Sequence, residues 1–471
     1  MKKLTTAILL VALVGTALFS LTACSSEEEE DLSSKVEEKV AAYRTDLEDS
    51  ADTLTSTVAI KEYLSNWAKE KGITCTTDGH DNVIMSVKAS EEYKEADPTV
   101  IVCSYDPKQF RTCIDPIALS LYAVKNNEST GRLTVIFTSE DGHDFSGIRS
   151  LNSKYFTDDS NVFCVNGGDK NMWSTSTAGR SSYDFSTEVS YTAPEGEKAY
   201  RIRIEGLPGG IPDSRISSYP NPIKEIGDLL AYFKTNSLIY ELADIHGGES
   251  GNLYPKSASV TVVIDEDDIE KFQKRMETAI ENYNDDNLED YPEMTYTYEE
   301  VELPRRVMTQ EHLNEFVSLL YTLIDGVYSR DDDDNQVSIT SIGSIIKNEN
   351  RYTISAVGNS LSEADLTEID TAYKTICGLA NVNYKKTDSQ SGWTSDSDSD
   401  LAKQVAEAFN SYSGADMEYR DCVAATNATY IQEKNENCSI ISVSVNENRL
   451  ERYTGTLITF LLNQTHENTE E

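Results

Sequence analysis

Residues 59–102 read AIKEYLSNWAKEKGITCTTDGHDNVIMSVKASEEYKEADPTVIV. Apolar residues in the first part (Ile60, Tyr63, Leu64, Trp67, Ala68) recur at helical spacing, which predicts a helix over 60–68. Two short apolar runs follow, at 82–87 and 99–104, and read as strands. The same alternation continues with a helix over 116–124 between strands, and further strands at 133–138 and 161–165. Strands alternating with helices predict an α/β sheet covered by helices on both faces.

Near Glu188 the pattern changes. Residues 200–205 alternate as a strand, Gly206-Leu207-Pro208-Gly209-Gly210 forms a turn, and 223–233 repeats as a helix. A strand over 257–263 leads into an amphipathic helix over 269–280, and a second strand–helix–strand set spans about 304–384. This reads as a two-layer α+β unit, possessing two similar halves. The Ser-, Asp- and Thr-rich stretch 387–400 then serves as a return linker. A helix at 401–409, a strand at 439–445 and a helix at 451–462 complete the first sheet. The expected organisation is a mixed-sheet α/β domain (34–187 and 387–466) interrupted by an inserted α+β lid (188–386).

The amino-terminal residues carry a separate message. Lys2 and Lys3 precede an apolar stretch over 7–18 that is too short for a comfortable membrane span, and Leu21-Thr22-Ala23-Cys24 follows. The ending resembles the bacterial lipobox, which implies cleavage before Cys24, lipidation of its thiol and anchoring on the extracytoplasmic face of the cell membrane. Acyl chains stabilise such an anchor by about 0.8 kcal/mol per buried methylene. The acidic run 25–31 has nothing to bury and reads as the end of a tether over 24–33.

The chain holds 41 basic and 81 acidic residues, a formal charge of −40. Such a surface repels phosphate backbones, so nucleic acid is excluded as a partner. Asp331 to Asp334 read as a solvated loop, because the alternating ligands and glycine of an EF-hand are missing. Seven cysteines remain beyond Cys24, an odd number without Cys-x-x-Cys, so neither a disulfide framework nor a zinc ribbon is expected. Cys422 with Cys438 is the one pairing to examine.

Residues 59–102 closely resemble the amino-terminal part of the Xaa-His dipeptidases (peptidase D, or aminoacyl-histidine dipeptidases), a branch of the co-catalytic zinc peptidases. The likeness continues at residues 206–210, at Ile245-His246-Gly247-Gly248, at Asn252-Leu253-Tyr254-Pro255 and at Ser391-Gly392-Trp393. It implies a catalytic α/β domain holding two zinc ions beneath a lid. A bridging Asp, a His and a carboxylate on each metal, and a neighbouring Glu as general base would perform hydrolysis.

Position by position, this resemblance leaves few of those groups in place. The first His ligand falls on Ser104, while Asp106, which would orient that His, remains. The bridging Asp is Asp115, followed by Pro116-Ile117 instead of Asn-Gly. Counting through 138–147 puts Asp141 at the base and Gly142 at a ligand position; a one-residue slip offers Glu140 and Asp141. The next Asp ligand maps to Asn166, and residues 440–462 contain no His for the last one. In the lid, a substrate-binding His is Ile211 and the Arg that would grip a carboxylate is Gly358.

Ser and Asn are poor zinc ligands at neutral pH and Gly offers no side chain. The expectation is therefore a degenerate, non-catalytic family member without a cofactor, tethered outside the cell and binding a peptide or other small ligand. A hydrolase with one unconventional ion (zinc, held by Asp115, Asp141 or Glu140, and His143) is the enzyme alternative; a structural surface protein is another. His143 has the simpler reading of a solvated loop residue, and no Gly-x-Ser-x-Gly elbow suggests serine chemistry.

Overall fold

A computed structural model describes residues 33–126, 131–168 and 170–467. The apolar leader, Cys24 and the acidic run lie outside those residues. No helix among the described residues is long and apolar enough to cross a membrane.

The stretch that opened the sequence reading folds as its periods require. The helix Thr57–Lys71 is capped by Ser56, whose hydroxyl accepts from the Ala59 amide, and ends where Gly72 turns left-handed at φ 72°. Its buried face is Ile60, Leu64, Trp67 and Ala68. The strands Val83–Val87 and Thr99–Tyr105 follow, the second buried on both faces as interior parallel strands are.

The first sheet has nine strands among the described residues. Its centre is parallel: Leu133–Ser139, Thr99–Tyr105, Asn161–Gly167 and Ser439–Val445 lie side by side. One face packs on helices 33–50, Thr57–Lys71, Phe110–Lys125, Asp400–Ser413 and Leu450–Glu467 around residues such as Val40, Ile117, Phe163 and Phe460. The other face buries Val102, Ile136, Phe145 and Ile431 beneath Ser146–Ser150 and Ala428–Lys434. This is the expected α/β sheet with helices on both sides.

The second sheet, also nine-stranded among the described residues, is antiparallel throughout and carries Pro222–Thr235, Ile269–Asn287, Gln310–Thr322 and Glu363–Ala380 against its large apolar core. It consists of a four-stranded and a five-stranded half that meet where Gly247 pairs with Ile345.

Three expectations change. The second sheet takes up the chain at Gly179, ahead of residue 188, because Gly179–Glu188 pairs with Arg351–Ser360 along its whole length. The supposed return linker 387–400 begins as the end of the strand Asn383–Gln390, which pairs with Gly179–Glu188. Both crossings between the sheets are therefore made by ordered strands. Cys422 and Cys438 are both free thiols; Cys438 packs in the same core as Cys164. Asp331 to Asp334 form the exposed turn into Gln336–Asn348, and Asp331 accepts the amides of Asp333 and Asn335.

Candidate functional site

The carboxyl ends of the parallel strands open on a cavity of about 220 Å³, where open α/β sheets place their ligands. Ser104, Asp106, Asp115, Glu140, His143, Asn166 and Ile211 all line it. It adjoins a larger cavity of about 1040 Å³ between the two sheets, with Asn166, Gly167, Gly168 and Ile211 common to both.

Ser104, the last residue but one of its strand, lies beside Thr138. Its hydroxyl donates to Glu140 Oε1 at 2.6 Å and accepts from Asn427 Nδ2 at 2.9 Å. Glu140 is 1% exposed, and its other oxygen lies 3.1 Å from His143 Nδ1. Glu140, which only the slipped register brought to the base position, faces the cavity, whereas Asp141, which that register put at the ligand position, does not. Asp141, counted as the base, is exposed and pairs with Lys108 at 3.1 Å. Gly142 turns at φ +75°, with its carbonyl accepting from Ser250 at 2.9 Å, and a Cβ there would come within 2.7 Å of Ser250.

His143 also departs from the expected solvated loop. It is buried and adopts φ 58°, a region that non-glycine residues occupy at a cost. Its neighbours hold it there. Its amide donates to Asp106 Oδ2 at 2.8 Å, its carbonyl accepts from Arg180 Nη1 at 2.5 Å, and its ring packs on Phe145 with centroids 4.5 Å apart. Asp106 further accepts the Lys108 amide and Gln109 Nε2. Burial, and after it the Glu140 charge, pushes the Asp106 carboxyl up despite these donors.

Asp115 has an unforeseen partner. Arg44, on helix 33–50, donates from Nε to Asp115 Oδ1 at 2.9 Å, and its Nη2 reaches Glu447 at 2.8 Å. Burial raises the Asp115 carboxyl, and Arg44 works against that rise. Pro116 cannot donate to the carbonyl one turn earlier, that of Thr112. Gly167 lies against this carbonyl so closely that a Cβ would sit 1.9 Å from its oxygen. Asn166 turns its amide to the Cys164 carbonyl at 3.1 Å. At the end of Ser439–Val445, where no His exists, Asn446 accepts from Asn171 and donates to the Gly168 carbonyl.

The lid positions behave differently from each other. Ile211 lines both cavities. Gly358 does not face the cleft: a Cβ there would meet Ile369 at 3.5 Å, inside the lid's own core. Its neighbour Asn359, paired with Arg180, points the other way and donates to the Pro212 carbonyl. An arginine at 358 would therefore be buried under the helix Glu363–Ala380, and the residue carried over as a lost substrate clamp is a packing position.

These residues do not fit a pair of zinc ions. Asp115 is held by Arg44, Glu140 by Ser104 and His143, Asp106 by backbone amides, and Asn166 by a carbonyl. Among the described residues, no three His, Cys, Asp or Glu side chains converge as a metal-holding group. Arg44, Asn427 and Arg180 are the partners that sequence reasoning missed. Arg44 and Asn427 lie near no recognised motif, so no local signal marked them, while Arg180 directly follows Ala178-Gly179, whose spacing from Asn166 the resemblance retains.

No protein-family model matches the chain. The cytosol non-specific dipeptidase of Escherichia coli K12 is 20% identical over 388 residues, covering 74% of this chain and 79% of that protein. The crystal structure of aminoacylhistidine dipeptidase from Vibrio alginolyticus matches with a TM-score of 0.56 at 18% identity, over 86% of this chain and 92% of that one. Human carnosine dipeptidase 1 matches with a TM-score of 0.51 at 10% identity, over 93% and 99%. The chain is similar in sequence to a dipeptidase and shares the two-part α/β fold of aminoacylhistidine dipeptidase and carnosine dipeptidase 1.

Proposed function

We propose that this protein is a non-catalytic relative of the zinc dipeptidases, lipid-anchored through Cys24 on the extracytoplasmic face, that binds a peptide or similar small zwitterion between its two sheets. The observation that carries the reading is a cleft kept open over a metal site that has been replaced by hydrogen bonds. The cavity of about 1040 Å³ draws its lining from both sheets: Lys170, Arg420 and Asp421 on one side, Asp213, Arg330 and Asp334 on the other. Arg330 pairs with the exposed Asp334 and also donates to its backbone carbonyl, while Arg420 pairs with the exposed Glu418. Pairs of that kind contribute little and exchange readily for a ligand's charged ends. Hydrolysis would need a polarising ion or an activated nucleophile. Glu140 and His143 are cleft-facing groups of suitable chemistry, but Glu140 has one oxygen engaged by Ser104 and the other by His143.

The test is calorimetric titration of the purified full-length chain with a dipeptide and tripeptide library, alongside hydrolysis assays with added zinc or with chelator. Saturable binding without turnover, unchanged by chelator, is expected. Zinc-dependent cleavage that Glu140→Gln abolishes would overturn the reading in favour of a hydrolase using Glu140 and His143. The anchor is checked separately by the mass of the mature amino terminus: an unmodified Cys24 thiol would refute it.

A further inference from the structure

In the resemblance, the carboxylate at position 115 bridges two divalent cations. Here it faces a guanidinium. Each nitrogen of the Arg44 fork has a carboxylate: Nε lies 2.9 Å from Asp115, Nη2 2.8 Å from Glu447 and Nη1 3.0 Å from Glu48. The backbone amide of Glu447 adds a further donor to Asp115. The Asp115 side chain is 14% exposed and that of Arg44 22%. Helix 33–50, which delivers Arg44, is seated by Val36, Val40 and Leu47, all fully or nearly fully buried in the core of the first sheet. Tyr43 on the same helix packs edge-on against Trp67. The guanidinium is therefore held by packing as well as by charge.

A carboxylate this buried needs a positive partner, because leaving a charge unpaired in such surroundings costs several kcal/mol. A metal ion would meet the need at about 2.0–2.2 Å from the carboxylate oxygen. An arginine meets it at hydrogen-bond distance, and its delocalised charge suits a fork of carboxylates. The two solutions exclude each other, since a divalent ion on Asp115 would sit against the guanidinium.

We infer that Arg44 is the resident cation of the former metal locus: it neutralises Asp115 from within the chain and keeps divalent ions out. The inference concerns ion occupancy alone and stands or falls independently of peptide binding in the cleft. It assigns helix 33–50 a role in the site, rather than in the tether preceding it.

The test is manganese uptake, read by electron paramagnetic resonance and by metal analysis of the purified full-length chain. A protein of formal charge −40 gathers ions on its surface, so each measurement is a difference from the matching Asp115→Asn variant. The wild type and D115N should take up equal manganese. R44M should bind about one additional ion per chain relative to R44M/D115N, with a manganese-dependent rise in its melting temperature. R44K, which keeps a cation, should behave as the wild type. Greater uptake by the wild type than by D115N would overturn the inference, as would equal uptake by R44M and R44M/D115N. If R44M fails to fold, the wild-type comparison with D115N decides: equality supports the inference and a difference refutes it.

Discussion

Replacing Arg180 by methionine should loosen the seam between the two sheets and the loop that carries Glu140 and His143. Arg180 is 1% exposed. Its Nη2 pairs with Asp388 at 2.7 Å, its Nη1 donates to the His143 carbonyl, and its guanidinium lies 4.4 Å from the centre of the Phe145 ring. Each charge-assisted hydrogen bond contributes about 1.5–3 kcal/mol net, and a desolvated cation–π contact about 2 kcal/mol. Methionine restores part of the packing against Phe145. Asp388 is not orphaned either, since both its oxygens still accept from Arg149 at 2.6 and 2.7 Å. The loss should therefore fall at the low end for a broken buried pair, about 3 kcal/mol. The assay is urea unfolding of wild type, R180M, D388N and the double variant, with amide exchange followed over residues 140–147. A coupling energy of about 1–3 kcal/mol between the two positions is expected, together with faster exchange in that loop. A loss below about 1 kcal/mol, or strictly additive single changes, would refute a stabilising Arg180–Asp388 link.

Burial, with Asp228 adding to it, pushes Glu225 from an ordinary 4.5 to about 7. A carboxyl raised on folding stabilises the protein below its unfolded value and loses that contribution as the pH rises through the folded one. At about 1.4 kcal/mol per unit, the wild type should lose about 3 kcal/mol between pH 4.5 and 8 through this group. Glu225→Gln should flatten most of the slope, leaving the share of Asp325, which burial raises to about 6; an unchanged slope in chemical unfolding would show the assignment to be wrong. Gly167→Ala would drive a methyl to 1.9 Å from the Thr112 carbonyl oxygen. Thermal unfolding should show a loss of at least about 3 kcal/mol from this overpacking, and a neutral result would mean that the helix carrying Pro116 yields easily.

Fold and ancestry were legible in the linear chain because they rest on local periods and short-range motifs. The helix at 60–68, the four buried parallel strands and the lid helices at 223–233 and 269–280 each announce themselves within a dozen residues, and all of them are found where expected. The crossings between sheets were not legible. Residues 387–390 look like a linker because their composition is polar, yet they form a strand at the sheet edge, where one face meets solvent and polar side chains cost nothing.

The site divides in the same way. Together with the resemblance, residue identity led to the expectation that donors for two zinc ions are missing: no histidine at 104, no carboxylate at 166, none of either at the last strand. Orientation was beyond its reach. A single residue of slip decides whether Glu140 or Asp141 enters the cavity, and strand alternation decides that Gly358 faces the lid core while Asn359 points away from it to the Pro212 carbonyl. Above all, the partner of Asp115 comes from 71 residues upstream, and that of Ser104 from 323 residues downstream. What each residue could do chemically was written in the sequence; which charge faces which was decided only when packing brought distant segments together, because electrostatic and hydrogen-bond partners are chosen by distance in space.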